Sequence, residues 1–340
     1  MGQRKMISAS QVRMPITIRD VAAAYERIRD QIHATDIVTS ESLNRELGHH
    51  ITFKLECNQR VRAFKARGAL NALKKLQGLG QLPNRVVAYS SGNHAQGVAW
   101  AARELGIPAT IFIPANASKV KIQATRDLGA QVVVCRNRAE AEMAAAEIEA
   151  NGAYLIPPFD HDSVIEGQGT VLYEALQQGA RPGVVFVPCG GGGLASGTQV
   201  VASSASPRIR TFAAEPLAVN DAAESIRQGR IVEAPHLGET IADGVRTPRI
   251  SERTFQYLRQ LDGFVEVNED AIIFWTQKLN SLLRPHLQQG VIIEPTAALA
   301  MAAANQWLAR QEEGQNVLVI LTGGNVDEAT AARIWPKSKL

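Results

Sequence analysis

Apolar positions along the chain follow two alternating rhythms: short unbroken runs, and longer stretches that repeat every three or four residues. From Ile18 to His33, Val21, Ala24, Ile28 and Ile32 keep helical spacing, which predicts a surface-docked helix. Ile51–Leu55 predicts a strand, and Ala69 to Leu79 a helix that ends near Gly78 and Gly80. Lys65 then lies where a strand passes into a helix. The alternation continues with strands at Arg85–Tyr89, Thr110–Ile113 and Gln131–Cys135, and with helices at Asn93–Leu105, Ser118–Leu128 and Ala139–Ala150. A second run has strands at Val184–Pro188 and Arg210–Ala214 with a helix after Gly193, and Asn316–Leu321 forms a last buried-strand pattern. Strands alternating with helices imply an α/β protein whose parallel sheets are covered on both faces. No repeat, low-complexity block or long linker marks a boundary. The expected division is a small α/β domain at residues 84–160, inserted in a large domain made of 1–83 and 161–340.

Charge and cysteine usage narrow the function. The 340 residues carry 36 Lys and Arg against 33 Asp and Glu, a formal net charge of +3, with the two signs interspersed. That pattern offers no basic stripe for nucleic acid and no polybasic membrane anchor, so a small-molecule substrate is expected. No apolar run is long enough to span a bilayer, and the first residues lack a signal-peptide pattern. Cys57, Cys135 and Cys189 are far apart and lack metal-ligand spacing, as expected of unpaired thiols in the cytoplasm.

Five segments carry the chemistry. Arg62-Ala63-Phe64-Lys65-Ala66-Arg67-Gly68-Ala69 contains a lysine that would ordinarily be a solvated surface charge. Its meaning comes from Ser90-Ser91-Gly92-Asn93-His94, Gly190-Gly191-Gly192-Gly193, Glu294-Pro295 and Thr322-Gly323-Gly324-Asn325. Together these would serve a cofactor with an aldehyde, a phosphate, a phenolic oxygen and a pyridine nitrogen. The four glycines remove every Cβ between a strand and a helix, so backbone N–H groups can approach a phosphate closely. Neither a P-loop nor a dinucleotide fingerprint is present. The motifs mostly follow strands, and in open parallel sheets such loops converge on one crevice.

With these motifs the chain resembles the serine/threonine dehydratase and serine racemase family of pyridoxal-phosphate enzymes. The resemblance runs almost end to end and includes Glu215-Pro216 and Thr240-Ile241-Ala242-Asp243-Gly244-Val245. It implies the fold-type II, tryptophan synthase β-like architecture with two parallel-sheet domains, a homodimer, and pyridoxal 5'-phosphate as cofactor. Lys65 would be the Schiff-base lysine and the base for the α-proton. Phe64, Asn93, Gly190, Gly191, Gly192, Gly193, Leu194, Glu294 and Thr322 would bind the cofactor, with Asn93 at the phenolic oxygen and Thr322 at the pyridine nitrogen. Ser90, Ser91, Gly92, Asn93 and His94 would receive the amino-acid substrate, although a structural role is the favoured reading of His94. Asp243 and Arg246 could likewise be buried loop organisers that never touch the substrate.

Two departures bear on substrate choice. Ser91 stands where many threonine dehydratases have alanine, and the resemblance gives such a serine proton transfer on the face opposite the lysine. Val61-Arg62-Ala63 replaces the usual threonine, glycine and serine, and Arg62 is the candidate to bind a second substrate carboxylate. Glu215, Val219 and Asp221 mark a segment where the resemblance implies a divalent cation, Mg2+ or Ca2+; the alternative is that Asp221 caps the following helix. The expected activity is a lyase that converts serine, threonine or 3-hydroxyaspartate to a 2-oxo acid and ammonia. The alternatives are an amino-acid racemase with side elimination activity and a non-catalytic binding protein.

Overall fold

The computed structural model of the chain describes residues 15–90, 92–115, 117–234 and 240–336. Ten strands form two sheets: β1 Ile37–Thr39, β2 His50–Lys54, β3 Val86–Tyr89, β4 Ala109–Pro114, β5 Gln131–Cys135, β6 Tyr154–Leu155, β7 Val184–Pro188, β8 Arg210–Pro216, β9 Gly263–Val267 and β10 Asn316–Ile320. The six-stranded sheet has the order β1-β2-β10-β7-β8-β9, and the four-stranded sheet the order β5-β4-β3-β6. Every pairing is parallel except that of β1 with β2. All five residues of β7 are buried, as a strand covered by helices on both faces requires. The small sheet draws only on residues between 86 and 155, which is the basis on which we propose the domain division at 84 and 160.

Each sheet has a point where strand order reverses, and both points bear on the site. In the large sheet the last strand, β10, lies beside β7, from which β8 and β9 run outward on the other side; in the small sheet the last strand, β6, lies beside β3, from which β4 and β5 run outward. Ligands of open parallel sheets bind outside the carboxyl ends of strands at such reversals. The loops there include 322–325 after β10, 189–193 after β7, 90 and 92–93 after β3, and 156–159 after β6.

Between the sheets lie three helices packed backbone to backbone. Lys65–Gly78 crosses Asp162–Gln177 so closely that a Cβ on Gly167 would stand 2.6 Å from the Gly68 Cα. Asp162–Gln177 meets Gly193–Ser204 in the same way, since a Cβ on Gly197 would stand 2.5 Å from the Gly169 amide nitrogen. The helix beginning at Lys65 is thereby set at a fixed distance from the helix that follows the glycine run.

Two differences from the sequence reading have simple causes. The first helix stops at Ile28, and Ile32 is buried from the turn beyond it. The lysine helix begins at Lys65, four residues before Ala69, preceded by a 3-10 turn at Arg60–Arg62. Among the described residues no helix is long and apolar enough to cross a membrane.

A buried ion network fastens the lysine helix. The Arg67 guanidinium, fully buried, donates to both oxygens of Glu56 at 2.7 Å and to Glu174 at 2.8 and 3.1 Å. Glu174 also accepts from Lys54 Nζ at 2.6 Å. Burial alone would lower the Arg67 pKa, but Glu56 and Glu174 outweigh it and raise it. Removing one partner from such a network leaves uncompensated charge in the interior. Glu174→Gln should therefore lower unfolding free energy in urea by about 3 kcal/mol or more at neutral pH. A loss within the range of an ordinary surface change would contradict this role.

Candidate active site

The reversal points of the two sheets open onto one cavity of about 510 Å³, a volume within the range of small-molecule sites. Its wall includes Lys65, Ser90, Asn93, the Gly190–Gly193 run and Thr322, although these lie far apart in sequence. Lys65 is the first residue of its helix, and its Nζ donates to the Pro158 carbonyl at 2.6 Å, 5.2 Å from the Phe64 ring centre. The residue as a whole is partly exposed through the cavity, while its ammonium is enclosed by protein atoms. Burial pushes that ammonium down to about 8, so neutral amine is accessible near physiological pH.

Backbone bonds tie the lysine to the loop after β10. The Phe64 N–H donates to the Thr322 carbonyl at 3.1 Å, and the Gly324 N–H to the Arg62 carbonyl at 2.8 Å. Asn325 then joins three segments, donating to the Val61 carbonyl at 2.8 Å and to Asn93 Oδ1 at 2.9 Å. Asn93 in turn donates to Glu294 at 2.9 and 3.2 Å. Burial, reinforced by the charge of Asp243, pushes the Glu294 carboxyl up to about 7.

The residues present fit pyridoxal phosphate on three counts. Thr322 Oγ1 is buried without a hydrogen-bond partner on the cavity wall, a neutral hydroxyl ready for a ring nitrogen. The glycine run is bare backbone: Gly192 has φ +87°, and a Cβ on Gly191 would stand 2.2 Å from the Phe159 ring. It leads into the Gly193–Ser204 helix, whose first N–H groups lack intrahelical acceptors and so suit a phosphate. Leu194, buried, is the second residue of that helix. Finally, the Lys65 amine faces the same cavity.

His94 also lies on the wall, with Nε2 2.8 Å from the Ile156 carbonyl. That contact makes Nε2 the protonated nitrogen. Burial, aided by the Lys65 charge, pushes its pKa down to about 3, so it stays neutral and does no acid work near pH 7. Ser90 and Gly92 line the cavity beside it; Ser91 lies outside the described residues.

Two sequence readings need correction. Arg62 is exposed and absent from the cavity wall; its Nη1 donates to the Gly290 carbonyl at 3.1 Å. The cause is local: Val61 and Arg62 have φ of 51° and 54°, left-handed backbone that turns the side chain away. Asp243 and Arg246 line the cavity, where Asp243 pairs with Lys121 and Arg246 donates to the Thr240 carbonyl. Asp221 is not a cap. The amides of Ala222 and Ala223 are taken by Glu215, at 3.1 and 2.7 Å.

Arg138, Tyr89, Lys121 and Phe159 were not singled out in the sequence, yet all line the cavity. Arg138 and Tyr89 stand at the carboxyl ends of β5 and β3, where the strand-end rule would have directed attention. Cys189 is buried, and burial with the neighbouring Glu215 and Asp221 charges raises its thiol well above the ordinary range, which leaves it unreactive.

Glu215 and Asp221 form a second polar feature behind the glycine run. Both Asp221 carboxylate oxygens are buried without a hydrogen-bond partner, and burial pushes this group up to about 7. Glu215 is raised further, first by burial and then by Asp221. Val219, between them, is buried. Among the described residues no three His, Cys, Asp or Glu side chains cluster as metal ligands. Two carboxylates supplemented by backbone oxygens fit a hard cation such as magnesium or calcium.

Comparison with known proteins agrees with this geometry. The family model described as "Pyridoxal-phosphate dependent enzyme" matches residues 28–323. The L-threo-3-hydroxyaspartate ammonia-lyase of Saccharomyces cerevisiae is 41% identical, covering 92% of this chain and 94% of the relative. The serine racemase of Schizosaccharomyces pombe is 37% identical over 92% of this chain and 94% of its own. The solved structure of maize serine racemase superposes with a TM-score of 0.86 at 34% identity, covering 94% of this chain and 97% of that one.

The buried carboxylate pair yields a direct test. Replacing Asp221 by asparagine removes a buried carboxyl whose ionised form is disfavoured by burial and which has no hydrogen-bond partner, so Asp221→Asn should raise thermal stability in chelator. Magnesium or calcium should stabilise the wild type by binding the folded state, and this increment should vanish in the variant. A wild type indifferent to both cations, with a destabilised variant, would leave Asp221 a purely structural residue.

Proposed function

The chain belongs to the pyridoxal-phosphate-dependent enzyme family, and from that premise we propose that it is an ammonia-lyase acting on a β-hydroxy amino acid, with 3-hydroxyaspartate ahead of serine and threonine. The observation that carries the reaction type is the desolvated Lys65 amine facing the same cavity as the glycine run and the unpartnered Thr322 hydroxyl. The order of substrates rests on similarity to the yeast hydroxyaspartate ammonia-lyase.

When bound, the cofactor supplies an electron sink for the substrate's α-carbon. Phe64, Asn93, Gly190 to Gly193, Leu194, Glu294 and Thr322 would hold it. Lys65 Nζ, close to the balance between amine and ammonium, is suited to take a proton from the α-carbon and to return one. Ser90 and Gly92, with the first amides of the Asn93–Glu104 helix, would receive the α-carboxylate. Thr322, a neutral hydroxyl, does not force protonation of a ring nitrogen as a carboxylate would, which suits early loss of the β-hydroxyl. Glu215, Val219 and Asp221 would hold magnesium or calcium. A cytosolic homodimer completes the proposal; it rests on the family resemblance and on three buried, unpaired cysteines.

Racemisation is the second reading, favoured by similarity to serine racemases across almost the whole chain. One experiment separates the two. Holoenzyme is given each enantiomer of serine, threonine and threo-3-hydroxyaspartate, and 2-oxo acid, ammonia and the handedness of residual substrate are followed. The lyase reading expects equimolar 2-oxo acid and ammonia, fastest from hydroxyaspartate. Inversion of substrate outrunning ammonia release would replace it by the racemase reading.

A further inference from the structure

We propose that Arg138 selects a second carboxylate on the substrate. The inference deepens the proposed function and rests on it, by giving the preference for a dicarboxylic amino acid a residue.

Arg138 lines the same cavity as Lys65, Ser90, Gly92, Asn93 and His94, whereas Arg62 does not. Of the other cations on that wall, Lys65 belongs to the cofactor. Lys121 is paired with Asp243. Arg246 directs Nε and Nη2 onto the Thr240 carbonyl, with Nε at 3.0 Å. Arg138 is held differently. Its Nε donates to Glu142 at 2.9 Å and its Nη1 to the Arg246 carbonyl at 3.1 Å, while Nη2 has no hydrogen-bond partner among the described residues. Its side chain keeps 39% exposure. The guanidinium is thus oriented by two contacts and retains donors for a ligand, an arrangement that suits bidentate binding of a carboxylate.

The backbone beneath it is well anchored. Arg138 opens the Arg138–Ala150 helix, three residues beyond the end of β5, and the Asn137 side chain caps that helix through the Glu140 N–H at 3.0 Å. The bond to the Arg246 carbonyl ties this end of the small sheet to the 243–247 loop across the cavity. Tyr89 adds a neutral donor. It is the last residue of β3, directly precedes Ser90, and lines the cavity. Its phenol is held protonated by burial and by Glu142, with Arg138 close enough to oppose them. A carboxylate held by Arg138 and Tyr89 would therefore lie beside the loop that receives the α-carboxylate, as the two ends of a short dicarboxylic amino acid require. A serine side chain offers no charge to this guanidinium, and polar sites built for a missing partner discriminate strongly.

The test separates the subsite from the reaction. Aspartate and alanine, neither of which carries a β-hydroxyl, are titrated into holoenzyme and their Kd values read from the change in cofactor absorbance. Arg138→Gln should reduce the preference for aspartate over alanine at least tenfold, and Arg138→Lys should recover part of it. The ratio of kcat/KM for hydroxyaspartate over serine should fall in parallel. An aspartate-to-alanine ratio that does not move in Arg138→Gln overturns the inference, whatever happens to the absolute affinities. If the ratio collapses but neither β-hydroxy amino acid releases ammonia, the subsite stands and the lyase reading fails.

Discussion

The structure depends on the buried pairing of Arg67 with Glu56 and Glu174. Arg67 lies two residues beyond Lys65, so whatever fixes its guanidinium fixes the first turn of the lysine helix. Glu56 comes from a short turn after β2, and Glu174 from the Asp162–Gln177 helix, which also takes Lys54 from β2. That same helix meets the lysine helix at Gly167 and the glycine-run helix at Gly169. An ion pair of this kind gives little net stability compared with a well-packed apolar substitute, but leaving one member unpaired is costly. Its value here is positional. Lys65 and the glycine run are referred to one rigid helix rather than to flexible loops.

On that frame, two sheets bring their order reversals to a common cavity. The large sheet contributes Thr322 and the Gly190 to Gly193 run, and the small sheet contributes Ser90, Gly92, Asn93, His94 and Pro158-Phe159. Asn325 and Glu294 knit these loops together around Asn93. Charge across the cavity is also ordered. Lys121 answers Asp243, Glu294 is satisfied by amides, and Arg138, held by Glu142 and the Arg246 carbonyl, keeps Nη2 without a partner among the described residues.

Much of this was legible in sequence for definite reasons. Strands such as Val184–Pro188 are buried on both faces and read as unbroken apolar runs. The motifs were legible because backbone cradles need glycine and strand ends carry function. By contrast, the Asp162–Gln177 helix passed unseen because it is buried on nearly all sides and shows no amphipathic stripe. Arg62 was misjudged because proximity in sequence to Lys65 says nothing of side-chain direction when the backbone turns left-handed at Val61 and Arg62. Asp221 offers a capping alternative by sequence because it stands at the start of its helix, yet the oxygens that take the first amides come from Glu215, six residues earlier. Arg138 acquires meaning only when the end of β5 is placed opposite the 243–247 loop, a juxtaposition that no local pattern encodes.

The central claim is that the architecture presents the Lys65 amine, and no other, to the aldehyde of the cofactor. Borohydride reduction of the holoenzyme followed by peptide mapping tests it most directly, because reduction fixes the cofactor to the lysine that holds it. The account predicts a single pyridoxyl label, on Lys65. A label on Lys121, the other lysine of the cavity wall, or on any other lysine would contradict it.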